Sequence, residues 1–157
     1  MEITGGCSCG ALRYRMSDTP LFVHCCHCTW CQRETGSAFV LNALIEARNV
    51  AVTEGAVEEF ATPSESGNGQ RIFRCAACKA AVWSIYSGAG DMFYFVRVGT
   101  LDRAGDFPPD IHIFTSTKLP WVQLPEGVPA HAEFYRRSQE WPAASLERRA
   151  AELARAG

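Results

Sequence analysis

The chain has 157 residues, of which 47% are hydrophobic and 20% are charged, and its formal net charge is -2. This size and composition are typical of one ordinary soluble domain. The small net charge gives no electrostatic basis for binding nucleic acid or a membrane surface. No run of 18 apolar residues predicts a membrane span. The first residues lack the basic and apolar regions of a secretory signal, so we expect a cytoplasmic protein.

Alternating or apolar stretches bounded by turn residues predict a mainly β fold. The predicted strands cover residues 11–16, 21–24, 38–45, 50–53, 57–62, 71–74, 80–86, 92–98 and 111–114. Residues 119–124 are predicted as an edge segment, because Pro120 interrupts them and cannot donate to a ladder. Residues 32–37 predict a short helical turn. Leu146, Ala150 and Leu153 lie at helical spacing, so residues 142–156 predict a short C-terminal helix.

The eight cysteines fall into three clusters, and their spacing indicates metal binding. Clustered thiols in a reducing compartment are typical of metal or redox sites, since disulfides are rare there. Cysteines one or two residues apart are also poor disulfide partners, because the bond demands a particular Cα separation and torsion. The clusters are Cys7-x-Cys9, Cys25-Cys26-x-Cys28-x-x-Cys31 and Cys75-x-x-Cys78.

The first and last clusters together supply four thiols, a complete tetrahedral set for zinc. Zinc sites that are closed by four cysteines usually have a structural role. A metal that joined the start of the chain to its middle would close a long loop and constrain the unfolded chain. We therefore expect a structural zinc on Cys7, Cys9, Cys75 and Cys78.

Cys26, Cys28 and Cys31 form the second set and leave one corner of a zinc tetrahedron to be filled. A protein triad with an open position can do chemistry, whereas a closed site holds a fold together. The sequence alone leaves three possibilities: an open zinc site, a zinc site closed by a nearby side chain, and a thiol cluster without metal.

The candidates for a closing ligand are His24, Cys25 and His27. Cys25 and His27 are adjacent to members of the set, and successive side chains of extended backbone point to opposite faces. This disfavours both as the fourth ligand of the same metal.

Several motifs occur in an order that is typical of one family. They are Gly5-Gly6-Cys7-Ser8-Cys9-Gly10, then Cys26-His27-Cys28-Thr29-Trp30-Cys31 with Thr35-Gly36-Ser37, then Cys75-Ala76-Ala77-Cys78, Gly99-Thr100-Leu101-Asp102, His112-Ile113-Phe114 and Lys118-Leu119-Pro120-Trp121. In these motifs the sequence resembles the glutathione-dependent formaldehyde-activating enzyme family, whose fold is shared with centromere protein V. The resemblance extends over nearly all of residues 4–135.

The resemblance implies a mainly β fold of the Mss4-like kind, in which small antiparallel sheets are stapled by zinc. It implies two zinc ions per chain, one structural on Cys7, Cys9, Cys75 and Cys78 and one catalytic on Cys26, Cys28 and Cys31. It further implies a carbon–sulfur lyase that acts on the adduct of glutathione and formaldehyde. We expect a zinc-binding domain over residues 1–135 and a helical extension over residues 136–157.

The chemistry of three thiolates agrees with a thiol substrate. Three thiolates and one Zn²⁺ sum to one net negative charge, which makes the metal a weak Lewis acid. Such a metal suits a fourth thiolate better than a hydroxide, and the thiolate is the nucleophilic form of a thiol. It could attack formaldehyde carbon to give an S-hydroxymethyl adduct. The alternative function is a non-catalytic, zinc-stabilised interaction module, which predicts a closed second site and no cavity beside it.

A glutathione-like substrate carries carboxylates, so cationic side chains are expected near the metal. Arg33 is the first candidate and Lys118 the second, although each is also compatible with a solvated surface charge. Thr35, Gly36 and Ser37 could offer hydroxyl and backbone donors to a substrate, or could simply cap a loop.

The remaining polar and aromatic residues have weaker predictions. His112 lies among apolar residues and is either a core histidine or a general base. The aromatic residues in predicted strands and turns are expected in the core rather than around a substrate. They are Trp30, Phe39, Trp83, Phe93, Tyr94, Phe95 and Trp121.

Overall fold

The computed structural model describes residues 2–86, 88 and 90–156. Within these residues the chain forms ten β-strands and three α-helices. The strands are β1 Ile3–Gly6, β2 Arg13–Met16, β3 Phe22–Cys26, β4 Val40–Glu46, β5 Val50–Glu54, β6 Val57–Thr62, β7 Gln70–Cys75, β8 Ala81–Tyr86, β9 Phe93–Arg97 and β10 Ile111–Ile113. The helices are α1 Thr29–Thr35, α2 Arg137–Glu140 and α3 Ala143–Arg155.

The strands form two sheets. A three-stranded antiparallel sheet has the order β1-β2-β5, and a seven-stranded sheet has the order β10-β3-β4-β9-β8-β7-β6. The larger sheet is mixed, because β10 pairs with β3 in parallel while its other pairs are antiparallel. The predicted mainly β fold with a short C-terminal helix is confirmed.

Most predicted elements lie close to the observed ones, and two differ for physical reasons. Strand β1 was not predicted, because glycine has low strand propensity. A Cβ on Gly5 would lie 2.6 Å from the carbonyl oxygen of Thr100 and from the ring of Tyr14, so close packing requires glycine there. The predicted edge segment 119–124 is wrong: this stretch has turns and no strand.

Two clusters of buried side chains form the core. The first contains Tyr14, Ile45 and Trp83 and brings together side chains of both sheets. The second is built from residues of β3, β4 and β10, from the cysteines at 26, 28 and 31, and from Trp141 after α2. The C-terminal segment therefore contributes to the same core as the central thiols.

Helix α3 is fixed to the sheet by polar contacts at buried positions. Ser145 Oγ donates to the carbonyl oxygen of Leu21 at 2.7 Å. Arg148 Nη2 donates to Glu46 Oε2 at 2.6 Å, and the Glu46 side chain is only 1% exposed. A buried carboxylate is costly unless it is paired and hydrogen-bonded, so this contact holds α3 in place. No helix in the described part of the chain has the length and apolar character needed to cross a bilayer.

We expect Arg148→Ala to destabilise the protein by about 3 kcal/mol, because it leaves the Glu46 carboxylate buried and unpaired. Urea unfolding followed by far-UV circular dichroism measures the effect. Arg155→Ala is the matched control: its exposed guanidinium lies 3.8 Å from Glu152, and removal should cost less than about 1 kcal/mol. Equal losses in the two variants would contradict the role given to the Glu46 contact.

Candidate metal centres and their cavity

The sulfur atoms of Cys7, Cys9, Cys75 and Cys78 lie within 4.8 Å of one another. A tetrahedral zinc with bonds of about 2.3 Å places its sulfur ligands roughly 3.8 Å apart. Cys7 Sγ lies 3.5 Å from Cys9 Sγ, and Cys9 Sγ lies 3.9 Å from Cys75 Sγ. The donor set therefore fits a zinc ion in both chemistry and spacing.

This group of four lies where the two sheets meet. Cys7 directly follows β1 of the smaller sheet, and Cys75 is the last residue of β7 in the larger sheet. The backbone N–H of Leu12 donates to Cys7 Sγ at 3.3 Å, and this contact is the main cause that lowers the pKa of Cys7 to about 6. Thiolate is the form that binds metal. A metal held here would connect the two sheets.

The second group consists of Cys26, Cys28 and Cys31, and local structure brings its sulfurs together. Cys26 ends β3, Cys28 is the N-cap of α1, and Cys31 lies in the first turn of that helix. The backbone N–H of Cys31 donates to Cys28 Sγ at 3.3 Å. All three side chains are buried, and their sulfurs lie within 4.8 Å of one another.

Hydrogen bonds decide which of these three sulfurs holds negative charge. Contacts from the Cys26 and Cys31 thiols lower the pKa of Cys28 to about 3, and backbone N–H donors of α1 act in the same direction. Contacts with Cys28 and Cys31, followed by burial, raise the pKa of Cys26. Cys28 is therefore the member of this group that most readily forms a thiolate, the form that binds metal.

A cavity of about 810 Å³ opens directly onto this second group, and all three cysteines line it. Across residues 2–86, 88 and 90–156, no fourth Cys, His, Asp or Glu donor atom joins the three sulfurs. Cavities of this size bind drug-sized molecules. Aromatic residues make much of the remaining wall: Trp30, Tyr86, Phe93, Phe95, Phe114 and Phe134.

The predicted aromatic core is therefore only partly correct. Trp83 is buried as expected, whereas Phe93 is buried but also lines the cavity, as does Phe95. Trp121 is 71% exposed, because the segment around it forms no strand. Trp30 is 40% exposed and lines the cavity.

Cys25, His27 and His112 form a third group of donor atoms, and they are buried on the face of β3 that points away from the cavity. His112 pairs with Cys25 across the parallel strands, and His27 Nε2 lies 3.0 Å from His112 Nδ1. Burial raises the pKa of Cys25 to about 12 and lowers the pKa of both imidazoles. The group is thus a neutral hydrogen-bonded cluster, and His112 does not line the cavity.

The two predicted cationic residues lie elsewhere. Arg33 is exposed on α1 and does not line the cavity. Lys118 Nζ donates to the carbonyl oxygens of Leu119 and Val122, at 3.2 and 2.7 Å. A role for either residue toward a substrate stays a prediction.

Thr35, Gly36 and Ser37 end α1. Thr35 Oγ1 donates to the carbonyl oxygen of Cys31 at 2.7 Å and accepts from the backbone N–H of Ser37. Gly36 has a φ of 66° at the C-cap, a left-handed conformation that favours glycine. These contacts belong to a helix cap, and a role in substrate binding also stays a prediction.

Sequence reasoning missed two polar residues that line the cavity, Arg137 and Arg149, and considered His24 only as a possible zinc ligand. One signal was available: Arg149 lies at helical spacing between Leu146 and Leu153, which pack against the second core cluster. An arginine on the apolar face of an amphipathic helix indicates a buried or cavity-lining charge.

We expect two zinc ions per chain in the native protein and one in Cys28→Ser, with the fold retained. Cys75→Ser should instead lose cooperative folding, because it opens the group that connects the sheets. Elemental analysis and thermal unfolding measure both effects. Unchanged zinc content in Cys28→Ser would overturn the assignment of the second site. A third equivalent of metal that is lost in His112→Gln would show that the cluster of Cys25, His27 and His112 also binds metal.

A known family and individual known proteins are similar to this chain. Residues 2–117 match the family described as glutathione-dependent formaldehyde-activating enzyme. A protein of Halomonas elongata, provisionally assigned as a glutathione-dependent formaldehyde-activating enzyme, is 25% identical over 130 residues, which cover 79% of this chain and 82% of that protein. A crystal structure of a Rhodobacter sphaeroides protein has a TM-score of 0.47 and 19% identity, covering 64% of this chain and 88% of the other. Because the family match covers well over half of its length, the chain belongs to the glutathione-dependent formaldehyde-activating enzyme family.

Proposed function

We propose that this protein is a zinc-dependent carbon–sulfur lyase that forms or cleaves the S-hydroxymethyl adduct of a glutathione-like thiol. The observation that carries the proposal is the group of three buried sulfurs at the wall of a cavity, with no fourth donor among the described residues. Zinc bound by Cys26, Cys28 and Cys31 would hold the sulfur of the substrate as a thiolate, the nucleophilic form.

The reaction balances without an oxidant or a reductant. In the direction of synthesis, the substrate thiol gives up its proton and its sulfur bonds to the carbon of formaldehyde. The C=O π bond breaks, and the carbonyl oxygen takes up one proton to become a hydroxyl. The reverse reaction breaks the carbon–sulfur bond and releases thiol and formaldehyde.

Part of the cavity wall beside the sulfurs is apolar. Phe93, Phe95 and Phe114 line the space beside the sulfurs. A substrate that displaces water from these walls would lose hydration at its reacting groups, and fixed donors in the site would act more strongly on them.

His24 is the residue best suited to donate a hydrogen bond to the carbonyl oxygen. It lies two residues before Cys26 on the same face of β3, and both line the cavity. Burial and the charge of Arg137 lower the pKa of His24 to about 3, so the imidazole is neutral at working pH.

A chain of hydrogen bonds connects this neutral ring to Tyr135 and Trp141. The indole N–H of Trp141 donates to the Tyr135 hydroxyl at 2.9 Å, and the same hydroxyl is hydrogen-bonded to His24 Nε2. When Tyr135 donates to Nε2, the ring proton of His24 lies on Nδ1, a buried atom with no hydrogen-bond partner among the described residues. An incoming substrate oxygen would satisfy it.

The alternative is a non-catalytic zinc-stabilised interaction module. That function predicts a second site closed by protein and no cavity beside it. The cavity and the set of three donors give it less support than they give the lyase.

We expect zinc-loaded protein to accelerate adduct formation from glutathione and formaldehyde above the rate in buffer, as measured by nuclear magnetic resonance exchange. Cys28→Ser should abolish the acceleration, because it removes one of three sulfur ligands. Cys25→Ser is the matched control, since Cys25 lies on the opposite face of β3 and should keep the wild-type rate. A zinc-loaded wild-type protein with no activity on glutathione would contradict the proposal.

We expect His24→Gln to lower kcat by about tenfold to a hundredfold with KM changed less than threefold, because a donor that acts in the transition state is lost. Zinc content should not change. His131→Gln is the control, because His131 contacts Glu140 outside the cavity. An unchanged kcat in His24→Gln would remove His24 from the reaction.

A further inference from the structure

Arg137 and Arg149 have no acidic partner within ion-pair distance in the described part of the chain. Two other arginines of the C-terminal segment do: Arg148 pairs with Glu46, and Arg155 lies near Glu152. Exposed arginines without partners are ordinary. These two are partly buried and line the cavity that contains the three sulfurs, so their lack of a partner calls for an explanation.

Both guanidinium groups make cation–π contacts with aromatic rings. Arg137 Cζ lies 5.2 Å from the centre of the Trp141 ring, and Arg149 Cζ lies 5.8 Å from the centre of the Phe93 ring. A guanidinium that contacts a ring through its face keeps its N–H groups free in its own plane. Arg137 Nε is fully buried and has no hydrogen-bond partner in the described residues.

The two charges also lie close enough to repel each other. Burial lowers the pKa of Arg149, and the positive charge of Arg137 lowers it further. Two unpaired, partly desolvated cations are unfavourable together unless an anion joins them. Planar, bidentate recognition of a carboxylate is the interaction for which arginine is best suited.

Two carboxylates lie elsewhere on the same lining, and neither neutralises the arginines. Glu65 and Glu133 both line the cavity, and neither forms an ion pair with Arg137 or Arg149. Burial is the main cause that raises the pKa of Glu65, and the negative charges of Cys28 and Glu133 raise it further. Glu65 thus lies close enough to Cys28 and Glu133 to interact with their charges, while the two cations of the cavity lie on the C-terminal segment.

We infer that Arg137 and Arg149 form a binding site for a carboxylate of the thiol substrate. The cavity then selects thiols that carry a carboxylate over neutral thiols of the same shape. This inference rests on the proposed function for the thiol end of the ligand. Both arginines lie beyond residues 2–117, the part that matches the family. Selection by charge is thus a property of the C-terminal segment of this chain.

The test compares 3-mercaptopropionate with its methyl ester, which has the same skeleton without the charge. Zinc-loaded wild-type protein, Arg137→Gln, Arg149→Gln and the control Arg136→Gln are each assayed with formaldehyde. Arg136 precedes α2, is exposed and does not line the cavity. Calorimetric titration of each thiol measures binding without turnover, and thermal unfolding checks the fold.

We expect the acid to bind wild-type protein at least tenfold more tightly than the ester. Each cavity variant should weaken binding of the acid, and raise its KM, by about tenfold to a hundredfold, the range for a hydrogen bond to a charged group. Binding of the ester should not change, and Arg136→Gln should behave as wild type. If Arg137→Gln folds poorly, Arg149→Lys takes its place, since it keeps the charge and loses the bidentate geometry.

The outcomes separate the two proposals. Wild-type protein that turns over the acid while both cavity variants keep its KM would overturn the carboxylate site and leave the lyase intact. Preferential binding of the acid that depends on the arginines, without turnover of any thiol, would overturn the lyase and support the site. Equal binding of acid and ester to wild-type protein would overturn the inference outright.

Discussion

The two faces of β3 carry different chemistry, because neighbouring side chains of an extended strand point in opposite directions. His24 and Cys26 line the cavity, whereas Cys25 packs beside His112 of β10. Helix α1 follows with Cys28 at its N-cap, so one short turn brings the three sulfurs within 4.8 Å of one another. A shift of one residue in the pairing of β3 would replace Cys26 with Cys25 at the cavity. The candidate site therefore depends on the register of this strand.

Local rules were sufficient to predict the thiol groups and most of the strands. Cys-x-Cys and Cys-x-x-Cys spacing brings sulfurs together through a single turn, whatever the rest of the fold does. Alternation likewise predicted β6 with its observed bounds. Alternation did not predict β1, whose last two residues are Gly5 and Gly6. A glycine has no side chain that could mark a buried or an exposed position. There the close approach of the neighbouring Thr100 decides the structure.

The charges of the cavity could not be predicted, because they come from a distant part of the chain. The proximity of Arg33 to Cys31 in sequence predicts a cation near the metal, whereas its position on α1 leaves it exposed to solvent. Arg137 and Arg149 reach the cavity only because Trp141 enters the second core cluster and α3 is fixed to Glu46. Tertiary contacts of this kind leave little trace in local sequence, apart from an arginine among the leucines of α3.

The segment that brings Phe134 and Arg137 to the cavity also covers an edge of the large sheet. His112 N donates to the carbonyl oxygen of Pro129 at 2.9 Å, and His131 N donates to that of His112 at 2.9 Å. The opposite edge strand, β6, carries Glu58 and Glu59. Uncovered strands readily recruit other chains, and both covering segments and charges prevent this. A change of this segment that altered the ligand would therefore also affect the protection of the β10 edge against aggregation.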